Sequence, residues 1–185
     1  MKNEMDDVLK ILVSEKELDE ITTRIASEID RDYGESPHRV VLVAILKGSV
    51  VFMGDLMRKI KTPIEIDFMK VASYGGNTAS TGNINIHLDL QRADIANCEI
   101  ILVEDIVDSG RTLAHLVEYL KLKGAKSVRT ATLLDKPSRR VVDFEADYVG
   151  RKVPDEFVIG YGLDFDEKYR ALPFVGVLKP EAYEK

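Results

Sequence analysis

Tryptophan is absent from this chain, and cysteine occurs once, at Cys98. One thiol cannot close an internal disulfide, and no Cys/His cluster stands beside it to form a zinc site. Histidine is almost as scarce. His38, His87 and His115 are scattered, as surface residues are, and not gathered as metal ligands are. No apolar run approaches the length of a membrane span, and the N-terminal MKNEMDDVLK lacks the apolar core of a signal peptide. The expectation is a cytoplasmic protein with no membrane partner. A basic stripe is missing too: acidic residues outnumber basic ones 32 to 26, for a net charge of −6. Dedicated nucleic-acid binders are usually basic, so no nucleic-acid partner is expected, and Arg139-Arg140 reads as a solvated loop. A small anionic substrate is still allowed, because a local site can be positive on an acidic protein. Repeats and Pro/Ser-rich linkers are also lacking, which predicts a single domain over residues 1–185.

What is present is enough apolar material for a core, 45% of the residues, arranged in alternating patterns. Ser14 followed three residues later by Glu17 is a capping-box pattern, and Leu18, Ile21, Ile25 and Ile29 recur at helical spacing. A helix over Glu15–Asp30 is expected. VVLVAIL, from Val40 to Leu46, is a continuous β-branched run of the kind buried on both faces of a sheet. It stops at Lys47-Gly48-Ser49, and a helix over Val50–Ile60 should follow. Ile64–Ala72 and Ile84–Leu88 read as strands, separated by SYGGNTASTG, Ser73 to Gly82, which breaks every pattern and reads as a long loop. A strand from Glu99 to Val103 leads into a helix over Thr112–Lys123, closed by Gly124. Ser127–Leu134 is a further strand, and the last third holds short ones at Phe157–Tyr161 and Phe174–Leu178. This alternation predicts an α/β fold: an open, mainly parallel, twisted sheet with helices on both faces. Ligands in such sheets bind at the carboxyl ends of the strands, so the residues after Leu46, Val103 and Leu134 matter most.

The strongest chemical signal lies there, in VEDIVDSGRT, Val103 to Thr112. It starts as a strand and ends as the first turn of a helix. Gly110 lets the backbone turn tightly, and Asp108, Ser109, Gly110, Arg111 and Thr112 bring backbone N–H groups and two hydroxyls to a helix N-terminus. That is a phosphate cradle. It is neither a P-loop nor a dinucleotide fingerprint, since both glycine patterns are absent. Glu104 and Asp105 precede the cradle and Asp108 stands at its lip. Carboxylates beside a phosphate repel it unless they hold sugar hydroxyls or a divalent cation. A ribose phosphate with Mg²⁺ satisfies all of these groups at once.

Val103–Thr112 resembles the phosphoribosyl pyrophosphate signature of the type I phosphoribosyltransferases. Over about Val40 to Leu178 the chain is similar to the family's bacterial hypoxanthine and hypoxanthine-guanine branch. The resemblance implies a small base-binding hood formed by the N-terminal segment and roughly residues 146–185. It implies a pyrophosphate loop at Leu46-Lys47-Gly48-Ser49, with Lys47 and Gly48 as ligands and often a cis peptide before the lysine. Ser73-Tyr74 and the Gly-rich loop resemble the family's lid. Lys136, in Leu133-Leu134-Asp135-Lys136, corresponds to the lysine that donates to the 6-oxo group of the purine. Phe157 would stack on the base, Val158 would read its edge through the backbone, and Asp164 would meet Mg²⁺ or ordered water. Arg170 resembles the arginine that clamps pyrophosphate. The implied metal residues are Glu104, Asp105 and Asp164, the implied base is Asp108, and the implied substrates are phosphoribosyl pyrophosphate, hypoxanthine and guanine. Homodimers or homotetramers are common in the family. Xanthine stays open as a base, since it too has a 6-oxo group. Nucleotide-sensing RNA-binding regulators share this fold, but their pyrophosphate loop usually carries Thr-Arg where Leu46-Lys47 stands, and they lack the Leu-Leu-Asp-Lys segment.

Overall fold

Val40–Ile45 and Ile100–Val103 are apolar at every position, so both faces of each strand have to be covered. The computed structural model, which describes residues 4–73 and 84–183, covers them. The elements run β1 (Val8–Val13), α1 (Glu15–Tyr33), β2 (Arg39–Leu46), α2 (Val50–Met57), β3 (Ile64–Ser73), β4 (Ile84–Leu88), β5 (Cys98–Val107), α3 (Arg111–Leu122), β6 (Ser127–Asp135), β7 (Tyr148–Lys152), β8 (Val158–Ile159), β9 (Val175–Leu178) and α4 (Pro180–Tyr183). Six strands form one sheet in the order β4-β3-β2-β5-β6-β7. All its pairings are parallel except β3 with β4. Val40, Leu42 and Ala44 face the layer that holds α1 and α2, while Val41, Val43 and Ile45 face the layer that holds α3.

Helix α1 begins where the sequence places it. The Ser14 hydroxyl accepts from the Glu17 N–H, and the Glu17 carboxylate accepts from the Ser14 N–H at 2.8 Å. The helix runs on past Asp30 to Tyr33, whose buried ring extends the apolar face by one more turn. Helix α2 stops at Met57, short of Ile60, where the Lys59 N–H closes a tighter three-residue turn onto the Leu56 carbonyl at 3.0 Å. Gly124, at φ +97°, follows α3, and the Ala125 N–H closes on the Leu120 carbonyl at 3.1 Å.

A second, smaller sheet has the order β1-β9-β8 and is antiparallel throughout. Its own core is Ile159, Tyr169, Leu172, Phe174 and Leu178. Strand β1 has no counterpart in the expectations from sequence, because its residues alternate weakly and half of them are exposed at the surface. Tyr148–Lys152 requires a correction to the hood's expected start near residue 146. It pairs in parallel with β6 and is the edge strand of the large sheet. The C-terminal part of the hood therefore begins after Lys152.

The chain runs from β2 outward to β3 on one side, and from β5 outward to β6 and β7 on the other. The order reverses between β2 and β5, and the crevice at their carboxyl ends is where an open α/β sheet takes a ligand.

Candidate active site

At that crevice lies a cavity of about 500 Å³, lined among others by Lys47, Gly48, Glu104, Asp105, Asp108 and Asp164. The turn after β2 contributes Lys47 and Gly48, and the Leu46–Lys47 peptide is cis. Gly48 has to be glycine: a Cβ there would stand 1.5 Å from Asp105 Oδ2. The acid from β5 therefore lies directly against the backbone of the β2 turn, and the two strand ends form one surface.

Glu104 and Asp105 are carried on β5 itself, which pairs with β6 as far as Val107 and Asp135. Burial pushes the Glu104 carboxyl well above the usual carboxylate range, and the neighbouring Asp105 adds to the shift. Burial also raises Asp105, against the Glu104 contact and the Ile106 N–H that donates to its Oδ1 at 2.8 Å. Two adjacent desolvated carboxylates with raised proton affinity suit a divalent cation or sugar hydroxyls. Among the described residues no group of three or more His, Cys, Asp or Glu side chains could hold a metal ion. The donor set thus fits Mg²⁺ in its common protein mode, with one or two carboxylates while substrate and water supply the rest.

The cradle is built from backbone. Gly110 is left-handed at φ +81° and caps α3 at its N-terminus, with no side-chain cap bond. The Ser109 hydroxyl accepts from the Arg111 N–H at 3.4 Å. Ser109, Gly110 and Thr112 line the cavity, while the Arg111 side chain is exposed outside it. Behind the cradle, Arg140 donates through Nε to the Phe144 carbonyl at 2.9 Å, and through Nη1 and Nη2 to the Asp108 carbonyl and the Asp135 carboxylate. Arg139 Nε donates to Asp108 Oδ1 at 2.8 Å. Arg139 is solvent-exposed, as the sequence suggested for the pair, but Arg140 is only 15% exposed and holds the cradle to the end of β6.

Lys136 follows β6 and is buried. Its ammonium donates to the Glu156 carbonyl at 2.6 Å, which ties it to the hood. Phe157, half-exposed, stacks on Tyr183 with centroids 4.9 Å apart and meets Phe165 edge-on at 5.5 Å. Val158 lies on β8, an edge strand of the hood sheet, so one side of its backbone faces away from β9. Lys136, Phe157 and Val158 lie outside the lining of the 500 Å³ cavity. Asp164 Oδ1 pairs with Arg170 Nη2 at 2.9 Å, and Arg170 Nη1 donates to the Gly162 carbonyl at 2.7 Å. Tyr74, the side chain of Ser73 and the rest of the expected lid up to Gly82 lie outside the described residues.

Three contributors have no signature in the sequence. Arg140 is one. Tyr183, behind Phe157, comes from the last short helix. Glu167 is the third: its carboxylate accepts from Lys47 Nζ at 2.9 Å and from Arg170 Nη2 at 3.1 Å. Those cations, Lys47 first, hold the Glu167 carboxyl below its ordinary value.

The sequence pattern of the phosphoribosyl transferase domain matches residues 10–166. The chain is 50% identical to the hypoxanthine-guanine phosphoribosyltransferase of Streptococcus mutans over 180 residues, 97% of this chain and 98% of that one. It is 49% identical to the bifunctional protein TilS/HprT of Listeria innocua over 181 residues; it spans only 27% of that relative's length. A crystal structure of a hypoxanthine phosphoribosyltransferase from Staphylococcus aureus superposes with a TM-score of 0.92 at 45% identity, covering 100% of both chains.

Proposed function

This chain belongs to the phosphoribosyl transferase family, and we propose that it moves the 5-phosphoribosyl group of phosphoribosyl pyrophosphate onto N9 of hypoxanthine or guanine. The products are IMP or GMP and pyrophosphate, the chemistry of purine salvage. The observation that carries this reading is the convergence at one crevice of a backbone phosphate cradle, the half-buried acid pair Glu104 and Asp105 and the Lys47 turn.

In this reading Asp108–Thr112 hold the 5-phosphate through N–H groups and the hydroxyls of Ser109 and Thr112. Glu104 and Asp105 take the ribose hydroxyls. Lys47, the Gly48 N–H and Arg170 hold the pyrophosphate. Glu104, Asp105 and Asp164 supply the hard oxygen donors for Mg²⁺, which when bound neutralises charge on the leaving pyrophosphate. The purine stacks on Phe157, and the backbone of Val158 reads its edge. Asp108 accepts the N7 proton while N9 attacks C1 and the C1–O bond to pyrophosphate breaks. The Ser73-Tyr74 lid closes over this centre and excludes water, which would otherwise capture an oxocarbenium-like carbon. The working protein is a cytoplasmic homodimer or homotetramer.

Lys136 decides the base. An ammonium has donors only, and a 6-oxopurine offers it an acceptor where adenine offers another donor. Adenine would leave a buried charge facing N–H groups, the kind of mismatch that costs about 10⁴-fold or more in specificity. The test mixes the protein with phosphoribosyl pyrophosphate, Mg²⁺ and one of hypoxanthine, guanine, xanthine or adenine, and follows nucleotide formation by absorbance. Turnover of hypoxanthine or guanine with adenine inert is expected. No turnover of any of the four overturns the reading.

A further inference from the structure

Glu167 presents both of its carboxylate oxygens to cations. Oε1 accepts from Lys47 Nζ at 2.9 Å and Oε2 from Arg170 Nη2 at 3.1 Å. These are the side chains assigned above to the pyrophosphate group. We propose that Glu167 is an internal competitor for that anion, an affinity-setting carboxylate that occupies the pyrophosphate cations until the substrate displaces it. The inference rests on the pyrophosphate role given to Lys47 and Arg170.

The local backbone does not by itself call for a glutamate there. Phe165 and Lys168 close a tight turn, with the Lys168 N–H donating to the Phe165 carbonyl at 3.1 Å. Its two central residues, Asp166 and Glu167, are left-handed at φ +52° and +63°. Glutamate gains nothing from that conformation, unlike glycine or asparagine. The Glu167 N–H donates to Asp164 Oδ2 at 2.9 Å, which ties the turn to the acid at the cavity wall. The Glu167 side chain is 64% exposed, so it can swing into water without opening a buried contact. Arg170 does not depend on it for position: Asp164 and the Gly162 carbonyl hold the guanidinium at 2.9 and 2.7 Å. Displacing Glu167 therefore frees Lys47 and removes one of the two carboxylates on Arg170 without dismantling the clamp.

An anion that must first displace an internal carboxylate binds with an apparent affinity reduced by the fraction of molecules in which the cations are free. Two exposed ion pairs of ordinary strength correspond to a reduction of about three- to tenfold. The same carboxylate re-pairs with Lys47 and Arg170 as pyrophosphate leaves, which favours product release.

Calorimetric titration of pyrophosphate in the presence of Mg²⁺ into the wild type, Glu167→Gln and Glu167→Gly tests this. Both variants should bind about three- to tenfold more tightly than the wild type. Glycine accepts φ +63° without penalty, so the second variant keeps the turn, and a merely structural role for Glu167 would weaken binding and not tighten it. Equal or weaker binding by both variants, with normal binding by the wild type, overturns the inference and leaves the proposed function standing. A wild type that binds no pyrophosphate overturns both.

Discussion

On the sheet half of the site, Lys47, the acid pair and the cradle end strands that are buried on both faces. On the hood half, Phe157, Val158, Asp164 and Arg170 ride on a two-residue strand and on turns with four left-handed non-glycine residues, Tyr161, Asp166, Glu167 and Tyr169. The sheet half inherits its geometry from the large core: β2 and β5 hold their neighbours in parallel register over most of their length, and a Cβ on Gly48 would collide with Asp105. The hood half is set by a small sheet and core of its own, by turns closed through backbone bonds such as Gly162 N–H to the Arg170 carbonyl at 3.0 Å, and by side-chain contacts such as Phe157 on Tyr183 and Arg170 on Asp164. A pre-organised strand end is suited to the steps in which bonds change. A hood built of turns around a small core is suited to admitting and releasing a base. Substitutions on the sheet half should accordingly act on turnover, and those on the hood half on binding.

The largest effect is expected at Asp108. Asp108→Asn keeps the size of the side chain and its place beside Arg139 but removes the carboxylate proposed as the base. Steady-state kinetics should show kcat lower by about 10²–10⁴-fold with little change in the KM values. A wild-type kcat would mean that the proton goes elsewhere, and the contrast between the halves would lose its catalytic side.

A smaller effect, of the other kind, is expected at Phe157. Phe157→Leu keeps an apolar side chain in the hood and loses the ring face. An aromatic pair is worth about 0.5–1.5 kcal/mol beyond its buried area, so the KM for hypoxanthine should rise about two- to tenfold. The KM for phosphoribosyl pyrophosphate should stay near the wild-type value. Equal increases in both would show that the hood and the sheet half respond as one unit.

The smallest effect belongs to the scaffold beneath the sheet half. Bonds from the Ser14 N–H and hydroxyl, and then Arg151, hold the Glu17 carboxyl down at about 2. Because the folded value lies below the unfolded one, this contribution to stability is complete above the unfolded carboxylate range, near pH 4.3. It is lost as pH falls towards 2. Glu17→Gln should therefore melt below the wild type at pH 6, with the gap closing as the pH is lowered to 2, and kcat at neutral pH should hold. A gap independent of pH would mean that the capping geometry matters and the charge does not.

The two halves also differ in how far they can be read from the chain. The Val40–Leu46 run, the Ser14–Glu17 box and the Val103–Thr112 motif each carry their own cause: continuous burial, a local side-chain bond, and a glycine at a strand-to-helix turn. Those causes act within a few residues, so the large sheet and the cradle were legible. Strand β1 and the pairing of β7 with β6 depend on partners far along the chain, and weak alternation in Val8–Val13 gave no sign of β9. Arg140 read as solvent-facing because its acceptors, the Phe144 and Asp108 carbonyls and the Asp135 carboxylate, meet only once the cradle and the end of β6 are brought together.

By itself the sequence determined the class of fold and the strand ends where a ligand belongs, because periodicity and short motifs act locally. Only the tertiary structure decided that Glu167 stands between Lys47 and Arg170, that Asp105 lies against Gly48 and that Tyr183 backs Phe157. Lys47 and Glu167 stand 120 positions apart, Gly48 and Asp105 57, and Phe157 and Tyr183 26, and no local pattern acts over such separations.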